Sequence, residues 1–185
     1  MNKNPILVRN ISHLTDARYF AAMGVDWMSM ELDNDPASFM RWHALRDWVS
    51  GVKLAAEIIT SDEMLIAKTI IDAKPDGIVF QQAGLYEGLP DIQVFYDIVA
   101  GDEEVFHECH IRIYPHGSLD KKQLLTLDPQ TTFIEAEWTV TMLDQLLQSG
   151  YAGGICFTGG EEDVTGVRDY ELMDELLERL RRLEA

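Results

Sequence analysis

Short apolar runs alternate with helix-patterned stretches along the whole chain, and that alternation fixes the fold class. Ile6 to Ile11 reads as a first strand, and Thr15 to Met23 as a helix capped by Leu14 and ended by Gly24. Val25 to Leu32 is a second strand, followed by a helix that Pro36 opens and Ser50-Gly51 closes. Val52 to Ile59 is a third strand, and Ser61-Asp62-Glu63 starts a helix running to about Ala73. Lys74-Pro75-Asp76-Gly77 then turns the chain into Ile78 to Gln81, and Ile92 to Val99, Ile111 to Tyr114 and Phe133 to Ala136 follow as strands. Thr139 to Gln148 is a helix, Gly154 to Phe157 the last strand, and Asp169 to Leu183 a charged amphipathic helix.

Repeated strand-then-helix order implies a parallel sheet, because each crossover must return over a face of the sheet. Eight strands allow a closed barrel or an open doubly wound sheet. With 185 residues, each unit has about 23, fewer than the roughly 200-residue lower end of typical (β/α)8 barrels allows. The shortage falls between strands five and seven, where only stunted helices fit, at Asp102 to Glu108 and Leu119 to Leu125. No linker or low-complexity tract interrupts residues 1–185, so one domain is expected.

Charge and cysteine content narrow the partners. Thirty-two acids against 15 bases give a formal charge of −17, which repels nucleic acid and anionic membrane surfaces. No apolar run spans a bilayer, Met1 to Pro5 lacks the apolar core of a signal peptide, and Cys109 and Cys156 make no disulfide framework. A cytoplasmic protein is the expectation. His107-Glu108-Cys109-His110 carries metal-capable groups, but its spacing fits no zinc pattern, so no metal and no cofactor are expected. Trp42 and Trp48, on the second helix, are expected to serve core or interface, and Cys156 to be a small buried hydrophobe.

Three motifs carry a resemblance. They are Ile11-Ser12-His13-Leu14-Thr15-Asp16-Ala17 with Ala21-Ala22-Met23-Gly24-Val25-Asp26, then Gly154-Ile155-Cys156-Phe157-Thr158-Gly159-Gly160-Glu161-Glu162, then Gly166-Val167-Arg168-Asp169. Together they resemble the phosphoribosylanthranilate isomerase family of tryptophan biosynthesis, in motif at the two ends of the chain and in architecture throughout. The resemblance implies a small (β/α)8 barrel with its site at the C-terminal ends of the strands. It also implies an Amadori rearrangement, in which an acid opens a phosphorylated aminoribose ring and a base removes the neighbouring carbon-bound proton.

The residues that would do this are replaced. Arg9 stands where the family keeps a cysteine base, and an arginine stays protonated. Strand six ends Ile113-Tyr114-Pro115-His116, without the family's aspartate acid, and the loop Asp33 to Ser38 lacks its arginine. Candidate stand-ins are His116 as acid and Glu57 or Glu31 as base, though each glutamate also reads as an exposed or salt-bridged carboxylate. For a phosphate, the resemblance points to Thr158, Gly159 and Gly160 after strand eight, with Gln81 at the end of strand four. After strand seven, Glu135-Ala136-Glu137-Trp138 replaces a glycine pair, and Arg9 either directs a charge at an anion or forms an internal salt bridge, with Glu137 as a candidate partner. Two functions stay open: an isomerase using unorthodox groups, or a catalytically silent barrel that binds a phosphorylated metabolite or a protein partner. A monomer or homodimer fits either.

Overall fold

The computed structural model describes residues 4–33, 35–81, 92–98, 110–159 and 170–182. Eight parallel strands close into a barrel in chain order, each hydrogen-bonded to its sequence neighbour and β8 to β1. They are β1 (Ile6–Arg9), β2 (Trp27–Glu31), β3 (Lys53–Ile58), β4 (Gly77–Phe80), β5 (Gln93–Asp97), β6 (Ile111–Pro115), β7 (Thr132–Glu135) and β8 (Gly154–Thr158). The closed barrel is thus the outcome, and the open sheet is excluded. The described helices are α1 (Leu14–Ala22), α2 (Pro36–Trp48), α3 (Glu63–Ala73), α4 (Lys121–Thr126), α5 (Val140–Gln148) and α6 (Glu171–Arg182).

Local chemistry sets the helix ends. Asp35 accepts from the Ala37 N–H ahead of Pro36, Asp62 from Met64 and Leu65, and Thr139 from Met142. Asp120 and Gln123 form a reciprocal capping box that starts α4. This short helix is the stunted element expected at Leu119 to Leu125, and the one expected at Asp102 to Glu108 lies outside the described residues. Two boundaries differ from expectation. The first helix begins at Leu14 after His13, whose side chain caps nothing, so Leu14 is in the helix rather than capping it. β1 stops at Arg9 because Asn10 takes a left-handed backbone, φ 57°, which ends the pleat. Trp42 is core and bonds the Ala73 carbonyl at 2.9 Å, whereas Trp48 is 63% exposed beneath the Arg18 guanidinium.

Strand alternation sends one set of side chains into the barrel and the other outward beneath the helices. The outward set, including Val8, Met28, Ala56, Ile78, Tyr96 and Ile134, merges with helix residues such as Phe20, Trp42, Ile66, Leu143 and Leu177. The inward set stacks in layers drawn from alternate strands. At the base, Trp27 and Ile111 share a layer with Gly77 and Gly154. These glycines make room for rings: a Cβ at Gly77 would come 2.8 Å from the Trp27 indole, and one at Gly154 would collide with the Phe133 ring. Above lie Leu7, Ala55, Phe95 and Phe133 from the odd strands, then Ser29, Val79, Ile113 and Cys156 from the even ones. The expectation that Cys156 is a small buried residue holds, since it is fully buried. α6 is pinned over the seam by the Tyr19–Tyr170 stack, with Tyr170 donating to the buried Asp16 and Tyr19 to Asp174.

Candidate functional site

Above the apolar layers, the last inward-facing residues of the four odd strands meet at the C-terminal mouth: Arg9, Glu57, Asp97 and Glu135. The layer that an ordinary barrel fills with branched aliphatics is here one guanidinium and three carboxylates. Arg9 grips Asp97 with two parallel bonds, Nη1 to Oδ1 at 2.8 Å and Nη2 to Oδ2 at 3.0 Å. Its Nη2 also donates to Glu57 at 2.9 Å and its Nη1 to Glu135 at 3.1 Å. The other Glu57 oxygen accepts from the Ser29 hydroxyl at 2.6 Å and the Asn10 N–H at 3.1 Å. Cys156 sits beneath, its Sγ 3.6 Å from Glu135. The cluster therefore ties together β1, β2, β3, β5 and β7, with β8 touching it from below.

Burial grades these groups. The side chains of Arg9 and Glu57 are 7% and 2% exposed, while Asp97 and Glu135 keep 23% and 28% open to the mouth. Burial alone would lower the Arg9 pKa, but Glu57, Asp97 and Glu135 outweigh it and raise it further, so the guanidinium is permanently charged. One cation faces three acids, and the surplus negative charge tells on Asp97. Its pKa is pushed up to about 6, chiefly by burial, with Glu135 and Glu57 adding to the rise and Arg9 opposing it. Burial likewise holds the Cys156 thiol well above its ordinary value, with Glu135 adding to it, so it is no nucleophile.

The sequence-derived candidates separate. Glu57 is brought to Arg9, as the salt-bridged carboxylate rather than a free base. Arg9 forms an internal salt bridge, but Glu137 is not its partner: Glu137 is exposed, and Glu135, two residues earlier on the inward side of β7, takes that place. His116 is exposed, with its ring edge-on to Trp138 at 5.4 Å, while its backbone N–H donates to the Glu135 carbonyl at 2.8 Å. Gln81 is exposed beyond β4. Glu31 is exposed and lines a cleft of about 550 Å3 beside the mouth, together with Asn10, Ser12, Arg41, Thr158 and Gly159. Gly159 has a prior engagement there, because its N–H donates to the Arg9 carbonyl at 2.7 Å, extending the β1–β8 ladder. A Cβ on it would lie 2.9 Å from that oxygen, so close backbone packing already accounts for the glycine. Gly160 and the His107-Glu108-Cys109 run lie outside the described residues.

Asp97 is the member of the Arg9 layer that is not among the candidates read from the sequence. Its signal was a charge closing the apolar run Val94-Phe95-Tyr96, the same pattern that ends β1 and β7. Arg41, which lines the cleft, lies on α2 and not in the loop Asp33 to Ser38 where the resemblance places an arginine.

No protein-family model matches the chain, and no curated protein sequence matches it. Solved structures do. A monomeric form of the dimeric phosphoribosylanthranilate isomerase of Thermotoga maritima superposes with a TM-score of 0.72 over 97% of this chain and 99% of that one, at 10% identity. The phosphoribosylanthranilate isomerase of Thermococcus kodakaraensis gives 0.72 over 98% and 99%, also at 10% identity. A truncated 3-deoxy-D-arabino-heptulosonate 7-phosphate synthase of Thermotoga maritima gives 0.66 over 97% and 86%, at 12% identity. The chain thus has the phosphoribosylanthranilate isomerase fold over nearly its whole length, as its motifs led one to expect, and the same barrel also serves a different phosphate-handling enzyme.

Proposed function

We propose that this chain is a catalytically silent barrel on the phosphoribosylanthranilate isomerase fold, binding a small phosphorylated metabolite in the cleft beside its mouth. The observation that carries the silence is the bonding of Arg9. The residue at the family's base position is a permanent cation, and all three carboxylates around it, Glu57, Asp97 and Glu135, are spent on holding it. An Amadori rearrangement needs an acid and a base on opposite sides of the sugar, and here the charged groups of the mouth face each other instead. Removing one member of a catalytic unit already costs orders of magnitude, and here the base, the acid and the loop arginine are all replaced.

The cleft supplies the binding half. Arg41 is the cation among its lining residues, and Asn10, Ser12 and Thr158 add neutral hydrogen-bonding groups. Glu31 and Asp33 line the same cleft, and such carboxylates accept hydrogen bonds from hydroxyls. A phosphate directed at Arg41 and a polyhydroxylated body directed at the acids fit this division. The test is a thermal-shift titration with inorganic phosphate and with a pentose phosphate, on the wild type, Arg41→Ala and Gly160→Asp. The pentose phosphate is expected to raise the wild-type melting temperature more than phosphate does, and both variants to lose the shift. A wild-type melting temperature unmoved by either compound would remove the binding half of the reading.

One observation favours isomerase activity as a second reading. Asp97 is partly exposed at the mouth, and burial pushes its carboxyl up to about 6, towards the range that suits a proton-transfer group. On that reading the chain serves tryptophan biosynthesis with Asp97 in place of the family's base. It predicts turnover of phosphoribosylanthranilate that Asp97→Asn abolishes.

A further inference from the structure

One residue of the cleft wall is held in a way that strand pairing alone does not require. Among the described residues, two that are not glycine have a left-handed backbone, Asn10 at φ 57° and Lys74 at φ 47°. Lys74 is the C-cap of α3, a place where helices commonly turn left-handed. Asn10 ends no helix. It follows β1 at the barrel mouth, is exposed, and lines the cleft beside Ser12, Arg41 and Thr158. Asparagine tolerates this conformation better than most residues, but glycine would adopt it at no steric cost. A side chain kept there points to a use for its carboxamide. The Asn10 N–H is taken, yet among the described residues nothing bonds that carboxamide.

Three successive backbone groups fix the turn. The Arg9 carbonyl accepts from the Gly159 N–H at 2.7 Å, and the Ile11 N–H donates to the Ser29 carbonyl at 2.9 Å. Between these two main-chain bonds, the Asn10 N–H donates to a side chain, Glu57 Oε1, at 3.1 Å. Glu57 is 2% exposed and is itself locked. Oε1 also accepts from the Ser29 hydroxyl at 2.6 Å, and Oε2 from Arg9 Nη2 at 2.9 Å. The Arg9 layer thus sets the direction of the Asn10 N–H. An apolar layer of similar volume would close the barrel at least as well, because a buried ion cluster brings little net stability. It would leave the Asn10 N–H without an acceptor. The charged layer therefore does something at the cleft that an apolar one could not.

We propose that Asn10 reads the hydroxyls of the ligand bound in the cleft, and that Glu57 is the positioning residue that holds Asn10 for it. The proposal rests on the reading of the cleft as a sugar-phosphate site with the phosphate on Arg41. A carboxamide both donates and accepts, which matches a sugar hydroxyl. Asn10 then sets the preference for a sugar phosphate over bare phosphate, and the Arg9 layer sets Asn10.

Isothermal titration calorimetry with ribose 5-phosphate and with inorganic phosphate tests this on the wild type, Asn10→Gly, Glu57→Leu and the double variant, with circular dichroism melts to check each fold. The wild type is expected to prefer the sugar phosphate, and Asn10→Gly to lower that preference about tenfold, the effect of one hydrogen bond. Glu57→Leu is expected to lower it by a similar factor. The double variant is expected to lose no more than either alone, because Glu57 acts through Asn10. A merely structural Glu57 would weaken both ligands alike, or its loss would multiply with that of Asn10→Gly. The proposal is overturned, with the sugar-phosphate reading left standing, by a preference unchanged in either single variant or by losses that multiply in the double one. A wild type that binds neither probe removes that reading and the proposal with it. Asn10→Gly decides the matter even where Glu57→Leu does not fold, since the position is exposed and its φ suits glycine.

Discussion

Raising the pH through the range in which Asp97 loses its proton is expected to weaken this barrel, and replacing Asp97 by asparagine to remove that weakening. The folded-state pKa of Asp97 is raised from 3.8 to about 6, first by burial and then by Glu135 and Glu57. A carboxyl whose pKa is higher folded than unfolded binds its proton more tightly in the folded state. Its stabilising contribution is therefore complete below the unfolded value and is lost as the pH climbs through the folded one. A rise of about 2 units corresponds to roughly 3 kcal/mol when complete. About 1.4 kcal/mol of that remains near pH 5, and almost none near pH 8. The assay is equilibrium urea unfolding of wild type and Asp97→Asn at those two pH values, read as the difference between the proteins so that groups common to both largely cancel. The wild type is expected to lose about 1.4 kcal/mol relative to the variant on going from the lower pH to the higher. A difference that does not change with pH, or one that grows in favour of the wild type as pH rises, would refute the electrostatic account of the Arg9 layer.

Three further outcomes follow from the same layer and the packing beneath it. Arg9→Met leaves three clustered carboxylates without their cation and is expected to cost about 3–5 kcal/mol in urea unfolding at neutral pH. Replacing Arg9, Glu57, Asp97 and Glu135 together by apolar residues of similar size is expected to be neutral or stabilising by about 1–4 kcal/mol, because the desolvation cost disappears with the charges. Gly77→Ala places a methyl group 2.8 Å from the Trp27 ring and is expected to lower stability by about 1–3 kcal/mol, with partial recovery in a Trp27→Leu background.

The barrel was legible because its determinants are local. Each crossover announces itself by a cap or a turn, as at Asp35-Pro36, Asp62, Gly77 and Thr139, and strand-then-helix order leaves few topologies. Closure was legible only through the family resemblance, since it depends on β8 pairing with β1, a contact that no local pattern records. The mouth followed the same division. Arg9 stood out as a charge in an apolar strand, and its two readings were an anion-directed charge and an internal salt bridge. Which acids it meets depends on inter-strand register, so the side of β7 that faces Arg9 carries Glu135 and not Glu137, and Asp97 reaches it from β5. Three residues at least 38 apart in sequence, Glu57, Asp97 and Glu135, become neighbours only once the strands are staggered around the barrel. Gly159 shows the same dependence on register: its type fits either an anion cradle or a close backbone approach, and only the β1–β8 pairing shows its N–H meeting the Arg9 carbonyl.

The most direct test of the central claim, that the Arg9 layer occupies the mouth in place of isomerase machinery, is turnover of phosphoribosylanthranilate by the purified full chain, followed by loss of substrate fluorescence at neutral pH. The account predicts a rate indistinguishable from spontaneous decay, unchanged in Asp97→Asn. Turnover clearly above that background, and lost in Asp97→Asn, would contradict it and make Asp97 the working group of an isomerase.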